Sequence, residues 1–337
     1  MDSPLKLTKK DFASGQEVRW CPGCGDYAIL NAAQQVFPEL GVPREKFVIV
    51  SGIGCSSRFP YYMNTFGFHT IHGRAPSIAT GIKLGNPELS VWIVTGDGDA
   101  LSIGGNHIIH LMRRNVDINV MLFDNRIYGL TKGQYSPTSE VGKRTKSTPY
   151  GSIDRPFNPA ALALGANATF VARSVDVYST HLRQVMKEAY GHRGTSFMQI
   201  FQNCNIFNDG AFESIRDKGL REDNLLLLRH GEPLVFGKNQ DRGIRLSGCN
   251  QPEVVKLGNG VTEEDLLRHD ETGPIGYAAM LAEMQPPDWP MPIGVIRRIQ
   301  APSFDDAMTA QIEEVTASRG TGNLRDAIYS RNTWKVE

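Results

Sequence analysis

The chain has 337 residues, 40% of them hydrophobic and 21% charged, which is enough for one large α/β core and an appendage. Lys plus Arg and Asp plus Glu both number 36, so charge gives no reason to expect nucleic acid or an anionic membrane as partner. No apolar run approaches the roughly 18 residues of a membrane span, and the start, with Asp2, Lys9, Lys10 and Asp11, lacks the apolar centre of a signal peptide, so a cytoplasmic location is expected.

Residues 1–20 mix Lys, Asp, Gly and Ser and predict an extended arm. A helix should follow, because Ile29, Leu30, Ala33, Val36 and Phe37 share one helical face before Pro38 and Gly41 end it. Apolar runs over 47–50, 91–94 and 118–123 predict buried parallel strands, and the stretches 76–84 and 101–113 predict the crossover helices between them. The pattern resumes with a helix from Pro159, a strand over 169–172, a helix over 177–190 and a strand over 197–201. This alternation predicts an open, mostly parallel α/β sheet with helices on both faces. Residues 126–158 form a long connection of the kind that is usually functional. After Asn205 the periodicity blurs into the charged stretch 263–271 and the Pro-rich run 286–292. The expected organisation is an arm 1–20, an α/β domain 21–204, and a C-terminal extension 205–337 that covers a site or wraps a partner.

The strand over 91–94 runs straight into Thr95-Gly96-Asp97-Gly98-Asp99-Ala100 and then a helix containing Gly104 and Gly105. Ligands of open α/β sheets bind at the carboxyl ends of strands, where backbone N–H groups meet an anion. Gly96 and Gly98 let the backbone close on a diphosphate. Asp97 adds a negative charge at the same place, which makes sense if a divalent cation bridges carboxylate and phosphate. A second ligand, Asn125, leaves the end of the next strand in Phe123-Asp124-Asn125-Arg126-Ile127-Tyr128-Gly129. Gly-Asp-Gly alone is a common turn; with strand, helix, strand and Asn in register it resembles the motif of thiamine-diphosphate enzymes. That resemblance implies Mg²⁺ held by Asp97, Asn125 and the carbonyl of Ile127. The family often has Asn-Asn where this chain has Asp124-Asn125, a departure that leaves the coordinating position intact.

The cysteines number five, an odd count that argues against a disulfide framework in a chain without export signals. Cys21 and Cys24 form a Cys-Pro-Gly-Cys turn, Cys55 follows the first strand, and Cys204 lies just past the strand over 197–201. Four thiolates at one sheet edge suit a [4Fe–4S] cluster or zinc. Cys249 stands outside this set and reads as a small buried hydrophobe. Trp20-Cys21-Pro22-Gly23-Cys24-Gly25, Gly52-Ile53-Gly54-Cys55-Ser56-Ser57, His69-Thr70-Ile71-His72-Gly73-Arg74 and Gly96 to Asp99 resemble the β subunit of 2-oxoacid:ferredoxin oxidoreductases, over residues 17 to about 210.

The resemblance implies one [4Fe–4S] cluster on Cys21, Cys24, Cys55 and Cys204. It implies thiamine diphosphate held by Ile53, Gly54, Cys55, Ser56, His72, Gly73, Gly96, Asp97, Gly98, Asp99, Asn125, Ile127, Tyr128, Gly129, Leu130 and Thr131. For His69 a hydrogen-bonded place in a buried turn is preferred, and for His72 structural and cofactor roles are evenly matched. No residue stands out as acid or base; the cofactor-activating carboxylate is expected on an α subunit. The implied partners are that α subunit, in an (αβ)₂ assembly, ferredoxin, a 2-oxoacid and coenzyme A as cosubstrate.

Tyr128-Gly129-Leu130-Thr131-Lys132-Gly133-Gln134 looks like the 2-oxoglutarate branch, with Lys132 as candidate partner of a second substrate carboxylate. The implied reaction interconverts 2-oxoglutarate, CoA and oxidised ferredoxin with succinyl-CoA, CO₂ and reduced ferredoxin. Pyruvate or another 2-oxoacid is the alternative substrate. A non-oxidative thiamine decarboxylase or synthase, which has no use for four placed cysteines, and a zinc-stabilised binding protein complete the alternatives.

Overall fold

The computed structural model describes residues 7–248, 251–330, 333, 334 and 336; Cys249 lies outside them. The strands are β1 (Phe47–Ser51), β2 (Phe66–His69), β3 (Ser90–Gly96), β4 (Asn119–Asp124), β5 (Phe170–Val175), β6 (Ser196–Phe201), β7 (Leu225–Leu227), β8 (Val235–Phe236), β9 (Arg242–Leu246), β10 (Pro252–Lys256) and β11 (Met291–Arg298). Eight of them form one sheet in the order β2-β1-β3-β4-β6-β5-β11-β7, and β10-β9-β8 form a second, antiparallel sheet. The first six strands of the large sheet are mutually parallel. β11 runs antiparallel to β5, with β7 parallel to β11.

Each central strand is apolar on both sides because both faces of the sheet are covered. Phe47, Ile49, Trp92 and Val94 point into one core, closed by the helices Asp26–Val36 and Ser179–Tyr190. Val48, Val50, Val91 and Ile93 point into the other, closed by Ala75–Gly85, Gly105–Arg114, Pro159–Gly165 and Ile275–Glu283. The predicted open α/β sheet with helices on both faces is therefore the observed one.

Three expectations need correction, and one strand was not foreseen. Residues 7–20 pack onto the body: Phe12 is fully buried, with its ring against Phe37 and Phe47 at 5.9 and 5.4 Å. The helix predicted over 101–113 is two helices, Asp97–Leu101 and Gly105–Arg114, broken where Gly104 packs against the Gly73 backbone. β2 was not predicted, because its phenylalanines alternate with Gly67 and His69 and all four residues are exposed at the sheet edge. Position 204/205 does not separate two packed units, since β11 and β7 lie beyond it and complete the sheet; the Pro-rich 286–292 hides the apolar run that follows.

The connection between β4 and the helix at Pro159 carries only turns and one isolated bridge, Tyr128 to Gln134. Further on, the helix Phe304–Arg319 is held at its start by Arg193, which pairs with Asp305 and Asp306, and is exposed from Thr309 onward. Among the described residues no helix is long and apolar enough to cross a membrane.

Candidate functional site

Two cavities adjoin at the carboxyl ends of β1, β3, β4 and β6. The first, about 170 Å³, is lined by Ile53, Gly54, Cys55 and Ser56 after β1, by His72, by Gly96 to Asp99 after β3, and by Phe123, Asn125 and Ile127 to Thr131 around the end of β4. Of the residues put forward for the thiamine cofactor, only Gly73 is missing from this wall, and it is buried directly behind it.

The local backbone explains why these residues meet. Asp99 accepts hydrogen bonds on Oδ1 from the amides of Ile53 (3.1 Å) and Gly73 (2.8 Å), and on Oδ2 from the Thr95 hydroxyl (2.7 Å). Asp99 thus fastens two loops to the end of β3. Gly73 sits at φ +67°, and a Cβ there would lie 2.4 Å from Cα of Gly104. Gly98 is equally constrained, because a Cβ would lie 2.1 Å from the Tyr128 ring. Its carbonyl accepts from the Tyr128 hydroxyl at 3.2 Å. Asn125 closes an Asx turn, its Oδ1 accepting from the Ile127 amide at 3.1 Å.

Asp97 and Asp124 are both buried, and neither forms an ion pair among the described residues. Burial first, and the neighbouring Asp124 second, push the Asp97 carboxyl well above the usual carboxylate range. Two adjacent buried carboxylates without a cation are costly. A bound divalent ion would relieve that cost, so the donor set fits Mg²⁺ with oxygen ligands from Asp97, Asn125 and the Ile127 carbonyl.

The second cavity, about 190 Å³, is ringed by Cys21, Cys24, Cys55 and Cys204, with Trp20, Asp26, Arg58, Lys132 and Gln202 also in its wall. Gly23, at φ +83°, lets the Cys21–Cys24 turn close, and the Cys24 amide donates to the Cys21 carbonyl at 3.0 Å. Trp20 Nε1 donates to the Cys55 carbonyl at 2.7 Å and Gln202 Nε2 to the Cys24 sulfur at 3.2 Å. Burial, helped by the Asp26 carboxylate, raises the Cys24 and Cys55 thiols well above the ordinary range. Thiols whose ionisation is opposed in this way become thiolates when metal charge compensates them. The four thiols surround one space, and such a donor set suits a metal centre such as an iron–sulfur cluster.

Cys55, Asn125, Gly129 and Leu130 belong to both cavities. Gly129 is the thin part of the wall: a Cβ there would lie 3.4 Å from the Cys204 sulfur and 3.6 Å from that of Cys55.

Lys132 lines the thiol cavity and not the other, because the chain turns back at Lys132 (φ +75°) and Gly133 (φ +101°) to pair Tyr128 with Gln134. His69 is exposed on β2 rather than buried in a turn, whereas His72 stands at the cofactor cavity, Nδ1 3.5 Å from Asp99. Sequence reasoning missed Phe123, Asp26, Ser136 and Thr138. Asp26, only 1% exposed with Oδ2 unpartnered, was one residue past the Cys-x-x-Cys-Gly motif. Ser136 and Thr138 gave no signal beyond lying in the long connection.

Residues 52–200 match the thiamine pyrophosphate enzyme family by its C-terminal TPP binding domain. The 2-oxoglutarate oxidoreductase subunit KorB of Mycobacterium tuberculosis is 52% identical over 339 aligned positions, covering all of this chain and 90% of that one. The β subunit of 2-oxoacid:ferredoxin oxidoreductase 1 of Aeropyrum pernix is 48% identical over 56% of this chain and 60% of its own length. A solved structure of 2-oxoglutarate:ferredoxin oxidoreductase from Magnetococcus marinus, with 2-oxoglutarate, coenzyme A and succinyl-CoA bound, superposes with a TM-score of 0.76 at 33% identity, over 96% of this chain and 95% of that one. A sheet end built for a cofactor anion, four converging thiols and likeness along the whole chain lead to one assignment: this chain belongs to the β subunits of the 2-oxoacid:ferredoxin oxidoreductases, an enzyme family, within its 2-oxoglutarate (KorB) branch.

Proposed function

We propose that the chain is the β subunit of a CoA-dependent 2-oxoglutarate:ferredoxin oxidoreductase, holding Mg²⁺–thiamine diphosphate in the first cavity and one [4Fe–4S] cluster in the second. The observation that carries this reading is the shared wall, since Cys55, Asn125, Gly129 and Leu130 serve both cavities at once. When bound, thiamine diphosphate supplies the nucleophile and electron sink, and the cluster the one-electron exit. Asp97, Asn125 and the Ile127 carbonyl hold the cation. The backbone of Gly96 to Gly98 approaches the diphosphate, and Asp99 keeps the Ile53 and Gly73 loops closed around the cofactor. The Gln202 donor tempers the charge of the Cys24 thiolate, and Trp20 fixes the Cys55 backbone.

Among the described residues no carboxylate is free at the cavity to activate the aminopyrimidine, because Asp97 is assigned to the metal and Asp99 to the loop amides. The α subunit is proposed to supply that group and much of the substrate pocket, in an (αβ)₂ assembly reducing ferredoxin. The choice of 2-oxoglutarate over pyruvate rests on the relatives, and Lys132, on the thiol cavity, adds little to it.

The test is a co-purified αβ complex assayed with CoA, ferredoxin and a panel of 2-oxoacids. Ferredoxin reduction fastest with 2-oxoglutarate, none with the β chain alone, and visible absorption bleached by dithionite are expected. Turnover by the isolated chain would overturn the reading, and zinc in place of iron would remove its redox half.

A further inference from the structure

The connection 126–158 comes back under the end of β3 and places two side chains against Asp97. The hydroxyl of Ser136 donates to Asp97 Oδ2 at 2.6 Å, and that of Thr138 donates to the same oxygen. Both residues are almost fully buried, at 2% and 3% exposure. Thr138 Oγ1 also lies 3.0 Å from Asp124 Oδ1, although one hydroxyl has only one proton to give.

Asp124 is held in turn by Gln199 Nε2 at 2.7 Å, and Gln199 by Arg173 Nε at 2.9 Å. Arg173 Nη2 donates to Asn158 Oδ1 at 2.9 Å, and Asn158 caps the helix at which the connection ends. The same connection is tied at its start, where Asn208 Nδ2 donates to the Asn125 carbonyl at 2.9 Å and Ser139 Oγ to the Arg126 carbonyl at 2.6 Å. Its middle, with Arg144, Lys146, Tyr150 and Ile153, is exposed.

Two hydroxyls on one carboxylate oxygen fix the plane of the group. They also leave the Oδ1 edge without a side-chain donor among the described residues. A hydroxyl donor cannot bind a phosphate and a carboxylate with the same proton, so at this position it orients the ligand rather than gripping cofactor.

We infer that Thr138, with Ser136, is a positioning residue for Asp97, turning its Oδ1 edge to the cation and fastening the connection 126–158 to the occupied metal site. The inference rests on the assignment of Asp97 to Mg²⁺ and adds residues to it from a segment with no recognisable motif. Because the linkage is reciprocal, cation and cofactor also hold the connection in place.

The experiment uses the intact αβ complex, stripped of cofactor with a chelator and reloaded with Mg²⁺ and thiamine diphosphate. Calorimetry gives the dissociation constant of the cofactor. Trypsin cleavage at Arg144 and Lys146, with and without cofactor, reports on the connection. Thr138→Val, which keeps the shape and removes the donor, should weaken cofactor binding by about ten- to a hundredfold and lose the protection that cofactor gives against trypsin. Thr138→Ser should restore both, and saturating cofactor should restore kcat to the Val variant. Ser136→Ala is the second variant, expected to show a smaller weakening in the same direction, and unchanged cluster absorption shows that the variants are folded. If both variants bind as tightly as the parent with protection intact, while Asp97→Ala abolishes binding, the inference is overturned and the assignment of Asp97 stands. If Asp97→Ala also binds normally, the metal assignment itself has failed.

Discussion

The two cavities share a wall and a sheet edge but differ in the donors they present. The cofactor cavity is made by strand ends: Gly96 to Asp99 follow β3, Asn125 to Thr131 follow β4, and Ile53 to Ser56 follow β1, so the sheet that makes the core also sets the geometry. The thiol cavity gathers donors from three separate stretches of chain, around Cys21 and Cys24, Cys55, and Cys204. Burial resists the charge of Asp97 in the first as well, but the amides and glycine turns around it are set by the fold, whereas the second depends on several thiols that ionise only against metal charge. Removing a ligand should therefore empty the first and leave it standing, but degrade the second.

The largest expected effect is that of Asp97→Ala, which should weaken Mg²⁺–thiamine diphosphate binding by at least about a hundredfold with iron and sulfide content unchanged. Calorimetry and metal analysis on one preparation check both halves. Cys24→Ala should do the converse, costing most of the iron and sulfide while cofactor binding falls less than about threefold; equal losses in both cavities would erase the contrast. Gly73→Ala tests preorganisation, because its Cβ would run into the Gly104 backbone. A loss of about 1–3 kcal/mol in unfolding free energy, with cofactor binding weakened and the cluster retained, is expected from denaturant titration.

Away from both cavities, His192 is 4% exposed, and burial lowers its imidazole from 6.5 to about 4. A base held neutral in the fold contributes stability that is present above pH 6.5 and lost as the pH falls toward 4. His192→Gln should flatten that acid slope by at most about 2 kcal/mol at pH 5, with both cavities loaded as before. The smallest effect is assigned to Lys132→Met. From its place at the thiol cavity, the ratio of kcat/KM for 2-oxoglutarate to that for pyruvate should move less than about threefold, and a tenfold fall would return Lys132 to the substrate.

The same contrast governs what could be read from sequence. Strand-end motifs are contiguous, so Gly96-Asp97-Gly98 and Asn125 announced themselves, and short apolar runs marked β1, β3, β4 and β6. The cysteines were legible because thiols are few and the Cys-x-x-Cys spacing is distinctive. What stayed hidden was supplied from afar by common residues. Ser136 and Thr138 are ordinary loop hydroxyls until the chain folds back on Asp97. Asp26 looks like any helix-start carboxylate, and its burial comes from the packing around the Cys24 turn. β11 was masked by prolines, and Lys132 was misplaced because a turn with positive φ reverses the direction a strand-end loop would take.

The edge strand β2 has a consequence for handling the protein. Phe66 and Phe68 are 62% and 48% exposed, and among the described residues no strand pairs with its outer side. An open row of amide and carbonyl groups beside alternating phenylalanines is a template for one more strand, which another copy can provide as readily as a proper companion. Recombinant production of this chain by itself therefore invites edge-to-edge clumping. Co-expression with its companion, or a lysine placed at position 66 or 68 as a gatekeeper, is the physical remedy for a sticky preparation.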